Sequence, residues 1–331
     1  MSHASLGPGI DGILVVLKPS GPTSHDIIAL VRRLAATRRV GHGGTLDPFA
    51  TGVLPVFLGK ATRVAEYHLG DEKAYRATIC FGAGSSTDDL EGELTPSDGP
   101  APDRAAVAEA LVGMTGRLSQ RPPAFSAVKV AGRRAYARAR AGETVLLEPR
   151  DVTIHALDIV SWDDTDPARP IAVVDVRCSA GTYIRALARD LGERLGTSAY
   201  LGALTRSASG PFTLDDAVTL DAVRDATAEG SDGIRPLLRP IDLGLEAFPV
   251  VDLSAAEVSA VARGQFVRPA AGTPHAAERY RLRGPDGTLV AIAASSAGRL
   301  APDKVFISPP SSEPATSAAP ATPATTATSA G

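Results

Sequence analysis

The chain has 331 residues, 44% of them hydrophobic, and 34 Lys and Arg against 37 Asp and Glu give a net charge of −3. That length fits about two domains with a real core, no apolar run approaches the roughly 18 residues of a membrane span, and the start carries no signal-peptide pattern. Cys80 and Cys178 stand far apart and the six histidines show no ligand spacing, which argues against a disulfide scaffold or a zinc centre and for a cytoplasmic globular protein.

Ile13 to Leu17 reads as a buried strand, and Thr23 or Ser24 as the cap of a helix in which Ile27, Ile28, Leu30, Val31, Leu34 and Ala35 keep helical spacing. Next comes Gly41 to Pro55, which holds one acid, Asp47, among glycines at 41, 43, 44 and 52 and a proline at 48. Glycine permits backbone angles closed to other residues and Pro48 fixes the chain behind the acid, so the segment reads as a rigid cradle presenting one carboxylate. Six bases (Arg32, Arg33, Arg38, Arg39, Lys60, Arg63) surround this acid between residues 32 and 63, a local charge of +5 that draws polyanions. As a bare pattern, an Asp before Pro is also a turn former that bonds its own backbone. The glycine spacing fits neither a phosphate loop nor a dinucleotide fingerprint.

Val53 to Leu58 reads as a second strand, and Tyr75, Ala77, Ile79 and Phe81 alternate with Arg76, Thr78 and Cys80 as in a half-buried one. Residues 84 to 103 carry six acids and no base, which reads as a solvated loop, followed by a helix from about Pro102 to Val112. Residues 117 to 150 carry eight bases and two acids, interleaved with Phe125 and Tyr136, flat side chains that stack on bases. We read this stretch, with a tight turn at Ala131-Gly132, as an RNA-gripping excursion from the main sheet. Strands follow at Thr144 to Val160, with a break, and Ile171 to Cys178; Thr182 then caps a helix with Ile184, Leu187, Ala188, Leu191 and Leu195 inward. The mixed order argues for α+β rather than regular alternation.

A composition shift at residues 226 to 247 marks a domain seam. Beyond it, a helix around Ser254 to Arg263 and strands near Tyr280 to Leu282, Thr288 to Ala293 and Lys304 to Ile307 make a small β-rich module. Residues 309 to 331 are Ser, Pro, Ala, Thr and Gly with Glu313 the only charge, a composition that reads as disordered.

The Asp47 segment resembles the active-site motif of TruB-type pseudouridine synthases, the bacterial tRNA pseudouridine(55) synthases. Lys18 to Ser24 is similar to the family's opening block and Lys73-Ala74-Tyr75-Arg76 to its second motif; Gln120 to Gly132, Cys178 to Arg185 and Leu204-Thr205-Arg206 fall in family order across about the first 210 residues. After Phe81-Gly82 the chain departs, reading Ser85-Ser86-Thr87-Asp88-Asp89 where many members carry Thr-Asp-Thr.

The resemblance implies a catalytic domain over residues 1–240, with a mixed, mainly antiparallel sheet flanked by helices, and a PUA-like RNA-binding domain over 248–308. It implies a monomer that converts uridine to pseudouridine in the T loop of tRNA without cofactor or metal. By this resemblance Asp47 is the nucleophile, attacking C1′ or C6. Tyr75 stacks on the extruded uracil and is a candidate base for its C5 proton. Arg185 sits in a first helical turn, where the dipole disfavours a cation by about 0.3–1 kcal/mol, and a pair with Asp47 would compensate. Tyr183 and Leu204 line the pocket, His42 occupies space near the nucleotide, and Lys18 and Lys129 bind phosphate or support the site. Ordinary packing is the plainer role for Tyr75, Tyr183 and Leu204, and a plain loop position for His42. Two rivals are a guide-RNA-dependent synthase resembling dyskerin and a non-catalytic tRNA-folding chaperone.

Overall fold

The computed structural model describes residues 9–125, 129–130, 133–134, 147–268, 277–296 and 298–308. The turn at Ala131-Gly132, Tyr136, the side chain of Lys129 and the tail from residue 309 lie outside the described residues.

The chain divides into two units, one ending at Ala247 and the other beginning at Phe248. In chain order the first contains β1 (Gly12–Lys18), α1 (Ser24–Leu34), β2 (Val40–His42), β3 (Thr51–Leu58), β4 (Lys73–Phe81), β5 (Ala83–Ser85), β6 (Leu94–Pro96), α2 (Arg104–Val112) and β7 (Gly116–Gln120). It continues with β8 (Lys129–Val130), β9 (Arg133–Arg134), β10 (Arg150–Asp163), β11 (Ile171–Cys178), α3 (Ile184–Arg194), β12 (Ala199–Ser209), β13 (Phe212–Thr213) and α4 (Leu220–Ala226).

One sheet runs β1-β3-β12-β4-β11-β10-β7, with β2 on β3 and β13 on β12. Only β3 and β12 pair in parallel; the other neighbours are antiparallel. This is the mixed, mainly antiparallel α+β architecture that the sequence leads one to expect. β1 and β3 read as unbroken apolar runs because nearly every residue in them is buried, whereas β4 alternates, with Ala77, Ile79 and Phe81 inward.

Thr23 caps α1: its hydroxyl accepts from Asp26 N and the Asp26 carboxylate accepts from Thr23 N, a reciprocal pair worth about 1 kcal/mol. Ile27, Ile28 and Val31 then pack on Leu14, Val16, Leu54 and Val56. A second core joins Val107 and Leu111 of α2 and Ile184, Leu187 and Leu191 of α3 to Ala77, Val174 and Leu201 of the sheet. Leu46, Phe49 and Ala50 of the glycine-rich segment belong to this same core. Burying side chains such as Leu46 and Phe49 contributes roughly 1.5–3 kcal/mol each, so the cradle is anchored by apolar packing.

Several expectations change. Gly41 and Gly43 keep ordinary backbone angles; the special conformations fall at Gly44 (φ +133°) and Gly52 (φ +105°). A Cβ on Gly52 would sit 2.2 Å from the carbonyl oxygen of Arg206, its partner in the parallel register, so close approach excludes any side chain there. The acidic loop contains a small hairpin, β5 on β6, and its Asp89 is buried. Thr182 does not cap α3: its hydroxyl donates to Ser179 O, and the N-cap is Tyr183. The basic stretch begins inside the sheet, since residues 117–120 belong to β7, and only beyond Gln120 does it leave.

The seam is narrower than the composition shift suggests, because α4 and the turn at Ser231–Leu237 fold back onto the first unit through Val223 and Ile234. In the second unit α5 (Ala255–Ala262) is capped by Ser254 and Glu257. Its sheet runs β14 (Val250–Asp252), β15 (Arg279–Arg283), β16 (Leu289–Ser296) and β17 (Arg299–Val305). Sequence reading misses β14 and places the last strand too late, because Pro302 and Asp303 disguise β17; the proline sits at a register shift, where a ladder donor is dispensable.

Candidate active site

Asp47 stands in the loop between β2 and β3, held from two sides. Lys18 is fully buried and its ammonium donates to the carbonyls of Pro19 (3.0 Å), Pro48 (2.9 Å) and Ala50 (2.7 Å). The Ser24 hydroxyl accepts from Leu46 N at 2.9 Å and donates to Leu46 O at 3.0 Å. Lys18 is therefore a strut under the loop and has no surface to offer a phosphate, which corrects the phosphate-binding role. Burial brings its ammonium down to about 8, against the pull of Asp47.

The Asp47 carboxylate faces a guanidinium rather than its own backbone. Arg185 Nη2 donates to Oδ1 at 3.2 Å, and Nε lies 3.0 Å from Oδ2, off the line of its N–H. The Asp47 side chain keeps 36% of its surface exposed while that of Arg185 keeps 6%, so the acid faces outward from a buried cation. Desolvation raises the Asp47 pKa, and Arg185 opposes that rise. The position of Arg185 in the first turn of α3 is thus compensated, as its place in the sequence demands.

Arg185 does more than pair with Asp47. Nη1 lies 3.3 Å from Asp89 Oδ2 and donates to Thr87 O, and Nη2 donates to Phe125 O at 2.9 Å. One turn on, Arg189 pairs with Asp88 at 2.8 Å and donates to Arg121 O. Arg185 and Arg189 of α3 therefore fasten both the acidic loop and the root of the basic excursion. Asp88 and Asp89 are internal counter-ions, a correction to the solvated reading. The signal available in the sequence is their adjacency at the point where the chain departs from the family run.

Tyr75 lies beside the loop on β4, packed on the core and opposite Arg206, its cross-strand register partner on β12; burial raises its pKa, and Arg206 opposes that rise. Arg206, 1% exposed, is the functional candidate that the sequence reading passes over, although it closes the Leu204-Thr205-Arg206 block. His42 is half-buried at the end of β2, its Nδ1 accepting from Gly44 N at 3.3 Å; burial and Arg206 lower its pKa. Leu204 is buried in the core with Leu46. Gln120 pins the residue at which α3 begins: its carboxamide accepts from Tyr183 N (2.8 Å) and donates to Tyr183 O (3.0 Å), while Arg150 lies 5.8 Å over the Tyr183 ring. Asp47, Arg185, Tyr75, Arg206 and His42 thus converge at one end of the β3-β12-β4 strands.

A mixed sheet with Asp47 on a loop, paired to the buried Arg185 beside the strand residue Tyr75, belongs to a chain whose comparisons with known proteins place it in the pseudouridine-synthase class. The description "TruB family pseudouridylate synthase (N terminal domain)" matches residues 32–184. "tRNA pseudouridylate synthase B C-terminal domain" matches 185–246, and "tRNA Pseudouridine synthase II, C terminal" matches 248–307. The chain is 47% identical over 302 residues to the tRNA pseudouridine synthase B of Thermobifida fusca (strain YX), covering 89% of this chain and 98% of that one. It is 44% identical over 309 residues to that of Arthrobacter sp. (strain FB24), covering 90% and 97%. The fold resembles a chain of a crystallised Cbf5-Nop10-Gar1 complex, with TM-score 0.67 and 25% identity over 90% of this chain and 85% of that one.

The chain belongs to the TruB family of pseudouridylate synthases and is an isomerase.

Proposed function

We propose that this enzyme isomerises uridine 55 in the T loop of tRNA, on a nucleotide flipped out of its stack, with Asp47 as the nucleophile. The observation that carries this reading is the pairing of an outward-facing Asp47 with a buried Arg185. The isomerisation breaks the bond from ribose C1′ to uracil N1 and rejoins the same ring through C5. A duplex or stacked loop hides both atoms, so the nucleotide must leave the stack.

Each site residue then has a task. The Asp47 carboxylate attacks C1′ or C6, and Arg185 keeps it ionised against its desolvation. Tyr75 stacks on the extruded uracil and takes the C5 proton; Tyr183, Leu204 and His42 bound the space in which the detached ring turns. Lys129 on the basic excursion contacts phosphate. The second unit, as a PUA-like module, adds RNA contact. The chemistry is an intramolecular rearrangement of one substrate, and its balance needs neither an oxidant nor an energy source.

Arg33, Arg38 and Arg39 are exposed on the chain leading into β2 and have no carboxylate partner among the described residues. They make a surface that a free-standing enzyme needs to hold its own RNA. This favours action on naked tRNA over guide-RNA dependence. An Asp47→Asn protein is expected to fold and bind tRNA but form no pseudouridine, read by base-specific chemical mapping of the T loop. Retained product would remove Asp47 as nucleophile. Activity that appears only with added partner proteins or guide RNA would favour the dyskerin-like reading, and growth rescue by Asp47→Asn a chaperone role.

A further inference from the structure

Arg206 is a buried cation whose neighbours do not include the expected anion. It is 1% exposed, and no carboxylate pairs with it among the described residues. Its Nε donates to Val53 O at 2.8 Å, Nη2 to Gly44 O at 3.2 Å, and Nη1 reaches Thr45 O at 3.5 Å. Its cross-strand neighbour in the β4–β12 register is Tyr75, whose phenol opposes the lowering of the Arg206 pKa by burial. Taking a guanidinium out of water without a counter-ion is costly; carbonyls relieve that only in part. Among the described residues, the ionisable group placed to complete it is the phenol.

We propose that Arg206 is a positioning residue that makes Tyr75 a base, by fixing the phenol oxygen and supplying the counter-charge to its phenolate. The inference rests on the reading that Tyr75 takes the C5 proton. In that step the C5–H bond breaks, the proton passes to the phenolate oxygen, and the electron pair forms the C5–C6 double bond. The pair thereby displaced from C6 leaves on N1, which takes a proton from solvent, or with the Asp47 oxygen if that is bonded to C6. Tyr75 returns its proton to solvent before the next turnover.

The surroundings give Arg206 this role rather than another group. From β11 Tyr75 meets Cys178, whose thiol burial raises to about 11, so that it stays neutral. From the catalytic loop it meets Asp47, whose charge opposes a phenolate. Lys73, on the same strand, spends its ammonium on the carbonyls of His68 and Asp71, at 3.2 and 2.8 Å. Lys18 is committed to the loop carbonyls, and Arg206 lowers the pKa values of Lys18, Lys73 and His42 alike. Arg206 also bonds the carbonyls of Gly44, Thr45 and Val53, which links the loop to the strand position opposite the tyrosine.

A double-mutant cycle on the full chain, with single-turnover rates on transcribed tRNA, tests this. Tyr75→Phe keeps the stacking ring and is expected to slow the reaction at least about 10²-fold, the usual scale for a general base. Arg206→Met should bind tRNA normally and slow the reaction comparably. Together the two should be no slower than Tyr75→Phe alone. With 5-deuterated uridine the isotope effect should grow in Arg206→Met, and the pH at which its rate levels off should move upward. Arg206→Lys, which keeps a cation, should recover most of the rate, and takes the Met variant's place in the cycle if that protein does not fold. Multiplicative losses with an unchanged isotope effect would overturn the inference and leave Tyr75 as base. A Tyr75→Phe enzyme at full rate would overturn both.

Discussion

Arg185 meets the Asp47 carboxylate with two nitrogens, Nε 3.0 Å from Oδ2 and Nη2 3.2 Å from Oδ1, while its third reaches Asp89 at 3.3 Å. A lysine would supply the charge but not the fork that spans two acids. Arg185→Lys is therefore expected to lower kcat about 10²-fold with KM within a few fold. The pH dependence follows from the sign of the shift: the proposed role of Asp47 needs its ionised form, burial raises its pKa and Arg185 holds it down. Weakening the pair lets the pKa rise further, so activity should fail at a higher pH on acidification. A kcat profile from pH 4 to 8 checks this.

Lys18 makes a second prediction, on stability. Lys18→Met leaves the Pro19, Pro48 and Ala50 carbonyls without their donor and should cost about 3 kcal/mol in urea unfolding at pH 7. The folded Lys18 has its pKa lowered from 10.5 to about 8, so between those values the unfolded chain binds the proton more strongly. This group's contribution to stability is then smallest below pH 8 and grows toward 10.5. The gap between wild type and Lys18→Met should accordingly widen between pH 8 and 10. A gap that narrows would contradict the assignment.

Gly52→Ala is expected to cost about 3 kcal/mol or more, since it combines a φ of +105° with a Cβ 2.2 Å from the Arg206 carbonyl. The parallel pairing of β3 with β12 is only two residues long, so the loop and Arg206 should separate and activity should fall with stability. Urea unfolding and kcat on the same preparation measure both; a loss under about 1 kcal/mol would mean the strands can part cheaply.

The exposed arginines before β2 should act on binding alone. Arg38→Glu with Arg39→Glu is expected to raise KM for tRNA about tenfold at moderate salt, with kcat unchanged, and to make the salt dependence of KM shallower. A matching loss in kcat would move these residues from RNA holding into the chemistry.

Much of this architecture was legible because local chemistry repeats in it. The Thr23 cap with Asp26 at the third position, the unbroken apolar run of β3, and the alternation in β4 each mark an element within a few residues. Asp47 announced itself as the one acid in a basic, glycine-rich stretch. The strand β17 did not, because a proline inside it carries the opposite local preference and only the register shift against β16 accommodates it.

The sequence by itself determined the class of elements, the nucleophile candidate and the family, all of which depend on residue type and spacing along one segment. Tertiary structure alone decided what each charge faces. Asp88 and Asp89 look like a solvated run until α3 brings Arg185 and Arg189 against them, and Lys18 looks like a phosphate ligand until β1 buries it under the loop. Arg206 looks like the end of a strand block until β4 sets Tyr75 beside it. The decisive partners lie as far as 162 positions apart in the chain, and Coulomb energy depends on distance in space and on burial, neither of which a local pattern encodes.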